Sequence, residues 1–129
     1  MSQHALALRF LTRTQTEVAQ MAACLPESPL PIEPVAIEYI QRIAHKISSA
    51  AEAFGFPEID TIAAGIELMT QDGVVRTVRN RMELAAQLVE KISTLQVYVE
   101  YELAEKEAKR VPDELPMSAQ LPGFGIRRK

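Results

Sequence analysis

Apolar residues recur along this chain at steps of three and four, and proline or glycine breaks the pattern into separate stretches. Such spacing puts side chains on one face of an α-helix, which turns by about 100° per residue. From about Gln3 to Cys24 the stripe is Ala7, Leu11, Val18, Met21 and Leu25, widened by Leu8, Phe10 and Ala22, and it predicts a first helix. Pro26, Pro29 and Pro31 then interrupt the chain, because proline lacks an amide proton and its ring clashes inside a helix. The segment Pro26 to Glu33 is therefore predicted as a linker. Pro34 suits a first helical position, so a second helix is expected from about Pro34 to Phe54.

In that second stretch Ile37, Ile40, Ala44, Ile47, Ala51 and Phe54 define the inner stripe. Gly55 can take the left-handed conformation that ends a helix, and Pro57 can open the next one, with Glu58 and Asp60 favourable at its N-terminus. The third helix should run to about Gln71, burying Ile59, Ile62, Ala63, Ile66 and Met69 against the second across a tight turn. Asp72-Gly73 punctuates the chain. A fourth and longest helix is predicted from about Val74 to Arg110, with Val78, Met82, Ala85, Leu88, Val89, Ile92, Leu95 and Val99 inside. Glu102 to Lys106 and Glu105 to Lys109 have the stabilising four-residue spacing, and the helix end is expected to project into solvent.

No strand pattern or internal repeat competes with this reading, so the predicted architecture is all-α, an antiparallel four-helix bundle over residues 1–110. Beyond it, residues 111–129 carry Pro112, Pro116, Pro122, Gly123 and Gly125 and close on Arg127-Arg128-Lys129, a composition that predicts a flexible tail.

Composition narrows the function. The length of 129 residues suits one domain with a single core, and the 47% hydrophobic content with no Trp suits helices packed through aliphatic side chains. A net charge of −3 supplies no basic footprint for nucleic acid. The single cysteine, Cys24, excludes an internal disulfide and a thiolate zinc cluster, and reads as a small hydrophobe. No apolar run reaches the roughly 20 residues of a membrane span, and Met1-Ser2-Gln3-His4 has no charged leader pattern, so a cytoplasmic location without membrane contact is expected.

The candidate chemistry centres on His45, since the other histidine, His4, falls in the first turn of the chain. On a helical wheel His45 lies about 120° from the centre of the inner stripe, on the solvent side or its shoulder. Its neighbours one turn away are Gln41, Arg42, Ser48 and Ser49, with Glu38 and Glu52 two turns away, a polar and small-sided patch. A partner can reach such an imidazole without displacing bulky groups. An unperturbed imidazole titrates near ~6.5, so a neutral nucleophile is available at cellular pH. The competing reading is an ordinary surface histidine.

The stretch Ala44 to Leu68 resembles the histidine-containing phosphotransfer (HPt) domains of two-component phosphorelays. Their pattern is a phosphoacceptor His, any residue, an aliphatic, Lys, Gly, two small residues and, after three more, a Gly. His45, Ile47, Ala50, Ala51 and Gly55 match it, followed by Phe56-Pro57-Glu58-Ile59. Ser48 stands in place of the Lys and Ser49 in place of the Gly, while the helical layout is similar from roughly Phe10 to Val99. The resemblance implies that His45 takes a phosphoryl group from a receiver-domain aspartyl phosphate and passes it on. The partners implied are response-regulator receiver domains and a hybrid histidine kinase. Magnesium would sit on the receiver, with no cofactor bound by this chain.

Ser48 and Ser49, at the family's Lys and Gly positions, together with Gln41, Arg42 and Lys46, which are close to His45 in sequence, are the expected surroundings of the phosphoryl group, and Glu52, Gly55 and Phe56 the expected docking surface. Lys46 or Arg42 could compensate for the missing Lys, although Lys46 points well away from His45 around the helix; solvation is the plainer role for both, as it is for Gln41. Glu67 matches an acidic position at the end of the family's third helix, with a cap or solvent role an equal reading. For Phe54 core packing outweighs docking.

Other classes fit less well. Histidine kinase dimerisation segments follow their His with an acidic residue, but Lys46 follows here and no nucleotide-binding glycine motif exists, so autophosphorylation from ATP is not expected. A di-metal carboxylate bundle needs Glu three residues before His, where Arg42 stands. The alternative that stays open is a helical adaptor that binds signalling partners without phosphotransfer. Monomer and dimer are both compatible with the sequence.

Overall fold

The computed structural model describes residues 2–71 and 77–109. Four helices follow in chain order: α1 Gln3–Ala23, α2 Pro34–Phe54, α3 Pro57–Met69 and α4 Val78–Ala108. Packing runs around a ring, α1 on α2, α2 on α3, α3 on α4 and α4 back on α1. This is the expected all-α four-helix bundle. The Asp72-Gly73 break, the Val74 start and Arg110 end of helix four, and the tail 111–129 lie outside the described residues.

Local chemistry sets most boundaries. The Ser2 side chain accepts from the amide of Ala5, and Thr77 accepts from that of Asn80, each satisfying a first-turn donor of its helix. Pro34 and Pro57 open α2 and α3, where their missing amide protons cost no intrahelical bond. Gly55 closes α2 at φ 81°, a left-handed conformation, with its amide on the carbonyl of Glu52 and that of Phe56 on Ala51. The chain thus reverses within two residues. The segment between α1 and α2 is a packed connector: Ile32 is fully buried, its amide donates to the Arg81 carbonyl at 3.3 Å, and the Arg81 guanidinium donates back to the Ile32 carbonyl at 3.0 Å.

The inner stripe of α2 is as predicted, except that Ile43 joins it and Phe54 is half-buried. In α1 the gap between Leu11 and Val18 is filled by Thr14, fully buried, whose Oγ1 finds no hydrogen-bond partner among the described residues. Two expectations for α4 are corrected. Val78, Met82 and Val89 are exposed while Leu84 is buried, so the inner face is Leu84, Ala85, Leu88, Ile92, Leu95 and Val99. On a helical wheel the buried residues spread from Ile92 toward the Leu84, Leu88 and Leu95 side, and Val78, Met82 and Val89 lie on the opposite flank, so packing covers one shoulder of the apolar stripe and leaves the other in solvent. The helix end also stays on the bundle: Leu103 packs on the core and the Lys106 ammonium sits 5.7 Å from the centroid of the Phe56 ring.

Phe56 itself is corrected from a docking residue to a core residue. It is buried, with its ring stacked on Phe10 at 5.8 Å, and Phe10 in turn stacks on Phe54 at 5.2 Å. The reason is the turn: with Gly55 left-handed, Phe56 folds inward to cap the end of the bundle.

Candidate functional site

The α2–α3 hairpin carries the site. Its arms are pinned across their shared face by two side-chain bonds, His45 to Glu67 and Ser48 to Asp60. His45 is on the outer side of α2, with its side chain 65% exposed, as the helical wheel predicts. Its Nδ1 is 2.8 Å from Glu67 Oε2. A carboxylate only accepts, so the neutral ring holds its proton on Nδ1 and donates it to Glu67, leaving a lone pair on Nε2. Position and tautomer are then fixed by one contact, and the nucleophilic nitrogen is the one that the carboxylate leaves free.

Glu38, Gln41, Arg42, His45 and Glu67 line one shallow depression. Of the residues expected around a phosphoryl group, the structure therefore brings Gln41 and Arg42 to His45. Lys46 is placed elsewhere: its Nζ pairs with Glu17 Oε2 of α1 at 3.1 Å, because the residue after His45 turns about 100° toward the neighbouring helix. Ser48 donates its single hydroxyl proton to Asp60 Oδ1 at 2.5 Å, a stronger acceptor than solvent, and so has none left for a phosphoryl oxygen. Ser49 and Glu52 are exposed on the same helix, and Ser49 adds only a small side chain near the ring. Gly55 is also exposed, ten residues beyond His45 at the helix end, about 15 Å along the axis.

Asp60 was legible from the sequence only as a charge suited to a helix N-terminus, and its bond to Ser48 is a tertiary fact. Glu67 carries more weight than sequence reasoning gave it. Among the described residues no group of three or more His, Cys, Asp or Glu side chains is placed to hold a metal ion. Likewise, no described helix is long and apolar enough to cross a membrane.

Fold and site together define a four-helix bundle that presents one oriented, solvent-facing histidine. A family model described as the Hpt domain matches residues 5–109, and the chain belongs to that family, the histidine-containing phosphotransfer domains of two-component signal transduction. Domains of this family serve as phosphocarriers in phosphorelays and interact with receiver domains and histidine kinases. No curated protein and no solved structure matched the chain in the corresponding comparisons.

Proposed function

We propose that this chain is a phosphocarrier whose phosphoacceptor is Nε2 of His45, exchanging phosphoryl groups with the receiver domains of response regulators, one of them carried by a hybrid histidine kinase. The observation that carries the proposal is the pairing of His45 Nδ1 with Glu67 Oε2 on a ring that is otherwise open to solvent. In the forward step the Nε2 lone pair attacks the phosphorus of an aspartyl phosphate on the receiver. The N–P bond forms, the P–O bond to the aspartate breaks, and its electron pair leaves with the carboxylate. The ring becomes an imidazolium that keeps its Nδ1 proton, and the Glu67 carboxylate offsets that positive charge. The reverse step returns the phosphoryl group to an aspartate by the same path.

Phosphoryl transfer of this kind depends mainly on positioning and charge neutralisation. The receiver's magnesium supplies much of the latter, and this chain supplies an oriented nucleophile with room for in-line approach. In this reading the phosphoryl group enters from a phosphorylated receiver.

A second reading, an adaptor that docks receivers without accepting phosphate, is favoured by one observation: the family's Lys position holds Ser48, whose hydroxyl is committed to Asp60. The test is to incubate the full chain with a panel of phosphorylated receiver domains and follow acid-labile phosphate, with His45→Gln as control. Label in the wild type that vanishes in the variant supports the phosphocarrier; binding without label supports the adaptor.

A further inference from the structure

We infer that Arg42 is the residue that holds the phosphoryl oxygens once His45 is phosphorylated, an assignment that rests on the phosphocarrier reading for its biological use but can be tested without a receiver. The argument is electrostatic. A phosphoryl group on Nε2 brings nearly two negative charges into a depression already lined by the Glu38 and Glu67 carboxylates. Without a cation, like-charge repulsion would oppose both the N–P bond and the transition state leading to it.

Two basic side chains are close to His45 in sequence, and the structure separates them. Lys46 points to α1 and is paired with Glu17. Arg42 lines the same depression as His45 and has no ion-pair partner among the described residues. One helical turn separates the two residues, which sets their Cβ atoms about 5–6 Å apart, within reach of a guanidinium for a group built on the ring. The guanidinium presents paired N–H donors that match two phosphoryl oxygens, and it is charged at every relevant pH. Ser48 cannot serve instead, since its proton goes to Asp60. The charge therefore comes from the turn before the histidine.

The experiment phosphorylates the full chain chemically with phosphoramidate, whose P–N bond breaks with loss of ammonia as the bond to Nε2 forms, and follows the product by phosphorus NMR. His45→Gln identifies the His45 signal. In wild type the phosphoryl titration should lie lower than in Arg42→Gln by about half a pH unit or more, with Arg42→Lys between them and Lys91→Gln, an equal charge change on exposed α4, without effect. With phosphorylated receivers, Arg42→Gln should slow labelling at saturating donor by about tenfold. An unshifted titration in Arg42→Gln overturns the assignment, as does a loss confined to receiver affinity with the saturated rate unchanged. Failure of the phosphocarrier reading looks different: chemical phosphorylation and the Arg42-dependent shift persist while no receiver labels His45.

Discussion

Glu67 Oε2 lies 2.8 Å from Nδ1 of His45, so a carboxylate from the end of α3 sets both the tautomer and the tilt of a ring carried by α2. Nothing else among the described residues is hydrogen-bonded to that ring. The contact is partly exposed, with Glu67 31% accessible, so its value lies in orientation more than in stability.

That pairing yields the first prediction. Glu67→Ala should leave the fold intact but free the ring to rotate and to put its proton on Nε2, where it blocks attack. Loss of one charge-assisted hydrogen bond in the transition state corresponds to about ten- to hundredfold in rate. Glu67→Gln keeps an acceptor oxygen but loses the charge that offsets the imidazolium, so it should fall between alanine and wild type. Transfer rates at saturating receiver, with nitrogen NMR of the ring to read the tautomer, check both; an alanine variant with wild-type rate and tautomer would remove Glu67 from the mechanism.

A second prediction concerns Phe56, which joins three helices at one end of the bundle by stacking on Phe10 and lying beneath Lys106. Phe56→Ala should cost about 3–5 kcal/mol, the range for truncating a buried aromatic. Phe56→Leu should recover much of it, while Lys106→Ala should lose only about 0.5–1 kcal/mol, the value of an exposed cation over a ring. Equilibrium urea unfolding gives all three. A docking role for Phe56 predicts the opposite ranking, with receiver binding lost and stability kept.

How far the sequence exposes this molecule depends on which kind of information each feature needs. The boundaries of α2 and the start of α3 were readable because Pro34, Gly55 and Pro57 act through their own backbone geometry. His45 was readable as exposed because the α2 stripe is strong and continuous. The inner face of α4 was not: Val78, Met82 and Val89 follow the same step pattern as Leu88, Ile92 and Leu95, and only the packing of α1 and α3 decides which side is covered. Glu67 and Asp60 show the sharper limit. Their partners are 22 and 12 residues away, and which side chains meet across a hairpin depends on the register of two helices that no local pattern sets.

Thr14 provides a prediction from a local imperfection. It occupies a core position between Leu11 and Val18, and its Oγ1 is buried without a hydrogen-bond partner among the described residues. Thr14→Val keeps the shape and removes the desolvated hydroxyl, so the chain should gain about 1 kcal/mol. The urea midpoint should rise with an unchanged slope. A loss of stability would mean that the hydroxyl is satisfied in solution.

Cys24 gives the last prediction, and its sign follows from burial. Cys24 caps the end of α1 through its backbone amide and packs against the core, and its thiol donates to the Gln20 carbonyl at 3.4 Å. Removal from water disfavours the thiolate, and burial raises the Cys24 pKa above its ordinary value. Since the thiolate is the reactive form, a raised pKa means a smaller reactive fraction at any given pH below it. Alkylation by iodoacetamide should therefore be slower than that of a free cysteine peptide near pH 8, and the midpoint of its rate profile should lie at higher pH. Mild urea that loosens the α1 end should move the profile back toward the peptide's. Reaction at the peptide's rate in native buffer would show instead that the end of α1 opens readily and that the thiol spends most of its time in water.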